Sequence, residues 1–225
     1  MSRIIGILAL LAVLVIAALL IRSCADGLQG GGGEQAMNGG AAEEQTADTG
    51  DRWYGCPEID VQLLTPNQYS RPQIALEQVN GIVVHYTANP GSSAQNNRDY
   101  FENLSKTGEN SVSSHFVIGI DGEIIQCIPT SEVAYASNHR NSDTISIECC
   151  HPDESGVFTD STYTSLVQLT AWLCRDHGIE ASDVIRHYDV TGKNCPKYFV
   201  EHEDAWAQFR EDVEERLEAL RAGAL

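Results

Sequence analysis

The sequence predicts an α/β fold: a single domain with a central mixed β-sheet flanked by helices, preceded by an N-terminal transmembrane helix. Three observations carry this. Short β-rich runs alternate along the chain with stretches of helical periodicity. Asp121-Gly122 joins two of those runs as a hairpin signal. A Gly-rich acidic segment without periodicity separates an apolar front end from the part that can build a core.

Taken in order, residues 1–24 hold the run "IIGILALLAVLVIAALLI" from Ile4 to Ile21, closed by Arg22. As helix it spans about 27 Å, enough to cross most of a hydrocarbon core. A cleavable signal peptide has a shorter apolar region of about 7–15 residues, so an uncleaved anchor is expected. Cys24 offers lipid attachment as an alternative, but Arg22 stands where a small residue would be needed. Residues 25–51 read as a flexible tether, because their Gly run cannot hold a helix. Residues 52–225 form the domain. Within it "GIVVHYTA" (Gly81 to Ala88), "SHFVIGI" (Ser114 to Ile120), "EIIQCIP" (Glu123 to Pro129), "TISIECC" (Thr144 to Cys150) and "DVIRH" (Asp183 to His187) are strand-like. Helical periodicity marks Ser92 to Ser105, Thr162 to His177 with Gly178 as C-cap, and Glu203 to Leu220.

Composition narrows the function. The chain has 225 residues, 42% hydrophobic, which supports one ordinary core once the front end is set aside. Its 14 Lys and Arg stand against 32 acids, a formal charge of -18. Nucleic acid, which is bound through clustered cations, is therefore not an expected partner.

The chemistry concentrates in "RHYDVTGKNCP", Arg186 to Pro196. His187 ends a predicted strand, and Cys195 follows eight residues later in what reads as a loop with Gly192 and Pro196. His85 ends another strand, where "GIVV" turns polar. Two imidazoles and a thiolate make a three-ligand set of the kind Zn²⁺ prefers, leaving one position for water. The residues alone also admit the plainer reading, in which each histidine is a hydrogen-bonded rim residue and the cysteine is buried packing.

A resemblance decides between them. "GIVVHYTANPGSS", "SSHFVI", "EIIQCIP", "TISIECC" and "RHYDVTGKNCPKYF", in that order, resemble the zinc-dependent N-acetylmuramoyl-L-alanine amidases, whose superfamily includes phage endolysins and animal peptidoglycan recognition proteins. The resemblance spans about Ser70 to Phe199 and is marked for the phage and sporulation-type enzymes of Gram-positive bacteria. It implies that His85, His187 and Cys195 ligate Zn²⁺, that Glu148 is the general base, and that Lys193 is the cation beside the metal. Strand alternation supports the aim of Glu148, since it puts Thr144, Ser146, Glu148 and Cys150 on one face and Ile145, Ile147 and Cys149 on the other.

The implied partner is peptidoglycan, cut at the amide between N-acetylmuramic acid and L-alanine of the stem peptide. Expected substrate contacts are His115, His139, Arg140 and Tyr86. Relatives often carry an aromatic followed by His where this chain has Tyr135-Ala136, so that contact is missing here or moved to His139. A catalytically silent peptidoglycan-binding receptor on the same fold is the alternative. The anchor implies a single-pass protein of the cell membrane with its domain facing the wall, and a monomer is expected. The seven cysteines leave disulfide pairing open.

Overall fold

The computed structural model describes residues 52–224. The anchor expected over residues 1–24 and the linker expected over 25–51 lie outside the described residues. Among the described residues no helix is long and apolar enough to cross a membrane.

Six strands build one mixed sheet in the order β1-β4-β3-β5-β2-β6. They are β1 (Asp60–Val61), β2 (Ile82–Tyr86), β3 (Phe116–Ile118), β4 (Ile124–Gln126), β5 (Ile145–Cys149) and β6 (Val184–Arg186). The pairs β2–β5, β2–β6 and β3–β5 are parallel, β3–β4 is antiparallel, and β1 runs parallel to β4. Four neighbouring strands thus point the same way, and their C-terminal ends share one rim. β2 and β5 are central and covered on both faces, so β2 is a continuous apolar run until the rim is reached, and the one polar residue of β5 before the rim, the buried Ser146, is bonded by Ser114 and His115.

Five helices cover the sheet: α1 (Ala94–Thr107), α2 (Asp160–His177), α3 (His187–Thr191), α4 (Lys197–Glu201) and α5 (Glu203–Arg221). α1 starts at a capping box in which the Ser93 hydroxyl accepts from Asn96 N–H and the Asn96 carboxamide accepts from Ser93 N–H. Such a cap contributes about 1 kcal/mol. The buried α1 residues Ala94, Phe101 and Leu104 pack with Val117, Ile125, Cys127 and Cys150 on one face of the sheet. On the other face Val84, Ile147 and Cys149 meet Leu166, Leu169 and Leu173 of α2 and Phe209, Val213 and Leu217 of α5. The alternation expected for β5 holds, with Cys149 and Cys150 in opposite cores.

Two local expectations need correction. The β3–β4 hairpin exists, but its turn is wider than the two residues Asp121-Gly122. Gly119 and Glu123 pair across it, and Gly122 takes a φ of +88° that suits glycine. The segment after β6 is not simply a loop. It contains α3, capped by Asp189, whose carboxylate accepts from the Arg186 N–H. Gly178 closes α2 in the left-handed conformation, as the sequence indicates. The described cysteines, Cys56, Cys127, Cys149, Cys150, Cys174 and Cys195, are all free.

Candidate active site

Register assembles the site. In the parallel β2–β5 pair His85 stands opposite Glu148, and in β2–β6 Val84 stands opposite Arg186. The next residue after Arg186, His187, therefore arrives beside His85 at the C-terminal rim of the parallel strands, where open α/β sheets place their ligands. The two imidazoles meet edge to face, centroids 4.6 Å apart, with Nδ1 to Nδ1 at 3.1 Å.

Cys195 is brought back by the short helix α3 and a reversal at Gly192, φ +77°. The Tyr188 N–H donates to the Cys195 carbonyl at 2.9 Å, closing that excursion. The Cys195 sulfur then lies 3.8 Å from His85 Nδ1. The ligand atoms of His85, His187 and Cys195 all fall within 4.8 Å of one another. The three residues are 1%, 7% and 1% exposed. A buried cluster of two nitrogens and one sulfur can hold a metal ion.

The far nitrogens of both rings are engaged by consecutive residues that the sequence reading does not single out. His85 Nε2 lies 3.1 Å from the Ser137 hydroxyl, and His187 Nε2 lies 3.0 Å from Asn138 Oδ1. Both belong to the entry of a 3-10 turn, Asn138–Ser142. The only local signal is an Asn in a stretch of small polar residues, a type that tolerates the φ of +54° found at Asn138.

The electrostatics fit a cation. Burial, the neighbouring His187 and Lys193 push the His85 pKa well down, and burial and Lys193 lower that of His187, so both rings are neutral donors. Burial pushes the Cys195 thiol up to about 12, with the Glu148 charge adding to the rise and the Tyr86 N–H and Lys193 opposing it. A metal must therefore displace the thiol proton as it binds. Burial likewise raises Glu148 to about 8 against the pull of Lys193. Glu148 Oε2 is buried with no hydrogen-bond partner among the described residues, and so is Thr87 Oγ1, one residue past β2. Lys193 is exposed on the loop before Cys195, and its charge is felt at both histidines, Cys195 and Glu148.

The structure thus brings together His85, His187, Cys195, Glu148 and Lys193. The expected substrate contacts fare differently. His115 is 1% exposed, its Nδ1 accepts from Ser146 N–H at 3.0 Å, and its Nε2 bonds the Glu132 carbonyl at 2.9 Å. It is a neutral strut inside the fold, its pKa lowered to about 4 by burial, and not a cleft residue. Arg140 turns from the rim as well. Its guanidinium bonds Asp143 at 2.8 Å and lies beside Gly81, four residues before His85 and just ahead of the other end of β2. Tyr86 packs its ring on His151, centroids 5.1 Å apart, and reaches the site through its backbone N–H to Cys195. His139 is exposed on the turn that carries Asn138.

Residues 75–198 match a family described as N-acetylmuramoyl-L-alanine amidase, a span that includes all five residues of the site. The chain is 36% identical over 163 residues to the N-acetylmuramoyl-L-alanine amidase CwlL of Bacillus licheniformis, covering 67% of this chain and 45% of CwlL. Among solved structures, PlyL superposes with a TM-score of 0.62 at 26% identity, covering 71% of this chain and 99% of PlyL. The catalytic domain of XlyA gives a TM-score of 0.60 at 25% identity, covering 70% and 99%. This chain spans less than half the length of CwlL but nearly the whole of those two solved chains.

Proposed function

From membership of the N-acetylmuramoyl-L-alanine amidase family, to which this chain belongs, we propose that it hydrolyses the amide between N-acetylmuramic acid and L-alanine of peptidoglycan. The observation that carries this is the convergence of His85, His187 and Cys195 at the rim, with Glu148 in register beside His85. A silent receptor would have no use for a carboxylate with a buried, unpartnered oxygen next to a metal-binding triad.

The residues present fit Zn²⁺. Tetrahedral bonds of about 2.0–2.3 Å separate two nitrogens by about 3.3 Å and nitrogen from sulfur by about 3.6 Å. The observed separations are 3.1 Å and 3.8 Å. His85, His187 and Cys195 would hold the ion. When bound, zinc lowers the pKa of a water to about 7 and polarises a carbonyl oxygen. Glu148 is the residue placed to take the proton from the attacking water and pass it to the leaving amine. Its buried, apolar setting makes it a stronger base than an exposed carboxylate. The Lys193 ammonium faces the negative oxygen that develops as the amide carbon becomes tetrahedral.

In this reading Ile4 to Ile21 anchors the chain in the cell membrane, the Gly-rich segment acts as tether, and the domain works as a monomer on the wall outside. The wall substrate, which begins just outside the membrane, agrees with that location. Fractionation of cells into membrane, cytosol and medium tests it, and recovery in cytosol or medium would overturn it.

The activity is tested by digesting purified peptidoglycan with the full chain and reading the products by mass spectrometry. New L-alanine amino termini on released stem peptides, together with intact glycan strands, are expected; both are lost with a chelator and restored by zinc. Binding of muropeptide by the zinc-loaded protein without any product would convert the assignment to the receptor.

A further inference from the structure

We infer that Ser137 and Asn138 are positioning residues of the metal site, each holding the tilt of one ligand imidazole, with Asn138 also fixing the tautomer of its ring. The inference rests on the metal-binding reading given above and extends it to residues outside the ligand set.

A neutral imidazole carries one proton, and only the bare nitrogen can donate to a metal. For His187 the choice is made by Asn138. The Oδ1 atom 3.0 Å from His187 Nε2 is an acceptor only, so Nε2 must carry the hydrogen and Nδ1 keeps its lone pair. That Nδ1 is the atom 3.1 Å from His85 Nδ1 in the cluster. Ser137 holds His85 in a less selective way: its hydroxyl, 3.1 Å from Nε2, can donate or accept, and it accepts the ring hydrogen whenever Nδ1, 3.8 Å from the Cys195 sulfur, is the atom that donates to a metal. When both Nε2 atoms carry the hydrogen, the two Nδ1 lone pairs face each other in a buried space. That arrangement is repulsive until a cation lies between them.

The segment is built to stay where it is. Ser137 is 1% exposed, and the N–H groups of Ala136 and Ser137 both donate to Asn141 Oδ1. Asn138 then adopts φ +54°, which turns its carboxamide to His187 directly after the Ser137 side chain has met His85. Two consecutive side chains can reach two rings because the rings come from adjacent parallel strands with their ends in register. Outer contacts of this kind raise the basicity of the ligand and hold its orientation, and losing one typically costs about 10–100-fold in metal affinity.

The positive φ supplies a clean perturbation. Asn138→Gly removes the carboxamide at no backbone strain, and Asn138→Asp keeps an acceptor oxygen of the same reach. Zinc affinity of the full chain is measured by competition with a chromophoric chelator, and the visible spectrum of the Co²⁺-substituted protein reports the geometry around the ion. Asn138→Gly and Ser137→Ala are each expected to weaken zinc by about 10–100-fold and to shift the Co²⁺ bands. Asn138→Asp is expected to keep wild-type affinity or exceed it. Melting of the metal-free proteins checks that the fold is retained, and if Ser137→Ala fails to fold, the Asn138 pair carries the test alone. Wild-type zinc affinity and an unchanged Co²⁺ spectrum in Asn138→Gly would overturn the inference while leaving the metal site intact. Equal losses in Asn138→Gly and Asn138→Asp would overturn it too, since acceptance of the ring hydrogen would then be irrelevant. A wild-type protein that binds neither ion would instead overturn the metal-binding reading, and the inference with it.

Discussion

Arg186 ties together the segment that delivers two of the three metal ligands, and its replacement by methionine gives a stability loss that can be worked out in advance. The side chain is 7% exposed and bonds Asp189 twice, through Nη2 at 2.8 Å and Nε at 3.2 Å. Its Nη1 also donates to Glu203 at 2.8 Å and to the Phe199 carbonyl at 2.9 Å. The guanidinium lies 5.3 Å from the ring centres of both Tyr188 and Trp206. One residue thus joins α3, α4 and α5. Breaking a fully buried ion pair from one side costs about 3–5 kcal/mol. Here Asp189 is 31% and Glu203 68% exposed, so both can rehydrate and the figure must be discounted. Methionine retains part of the packing, which leaves about 2–3 kcal/mol. For a domain of this size that is a fall in Tm on the order of 4–12 °C.

The sign with pH follows from Asp189. Burial would raise its pKa, but the hydrogen bonds and charge of Arg186 outweigh burial and hold it below the usual carboxylate range. A depressed carboxylate contributes stability that is present above the unfolded value of about 3.9 and is lost as pH falls through the folded value. The difference between wild type and Arg186→Met should therefore be full at pH 6–7 and shrink below about pH 4. Thermal melts of both metal-free proteins across that range are the assay. A variant that melts within 2 °C of wild type at neutral pH, or a gap that persists unchanged in acid, would refute the reasoning.

Other perturbations separate chemistry from architecture. Glu148→Gln should lower kcat on peptidoglycan by about 10²–10⁴ with zinc content unchanged, because the carboxylate is a base and not a ligand; parallel loss of zinc would contradict that division. Lys193→Met should cost about 10²–10³ in kcat with Tm held, since the side chain is exposed and its role is to meet developing charge. Gly81→Ala should destabilise by about 1–3 kcal/mol in urea unfolding, because the added Cβ would meet the Asp183 carbonyl oxygen at 2.6 Å, a backbone atom at the β2–β6 junction that cannot swing aside. Wild-type stability for that variant would mean the two strands separate more easily than their packing implies.

The residues that do chemistry and the residues that aim it differ in how far a sequence can reveal them, for a physical reason. His85 sits where an apolar run buried on both faces turns polar, and Glu148 falls on the polar positions of an alternating strand; both signals are local and visible. Lys193 and Cys195 fall within one reversal after β6, so spacing along the chain approximates distance in space. Ser137 and Asn138 have no such signature. They act across separations of 52 and 49 residues, and nothing near them in the chain announces the rings they touch. Direction fails for the same reason at Arg140, where Asp143 and the approach of Gly81 decide which way the guanidinium turns. His115 shows the converse: it directly precedes β3 at the end away from the rim, so a strand-end histidine becomes a strut for Ser146 instead of a ligand. Which end of a strand a histidine occupies, and therefore whether it can meet a ligand, is settled by strand direction within the sheet. In a mixed sheet that direction depends on topology, and β2 and β6, parallel and adjacent, bring His85 and His187 to the same rim.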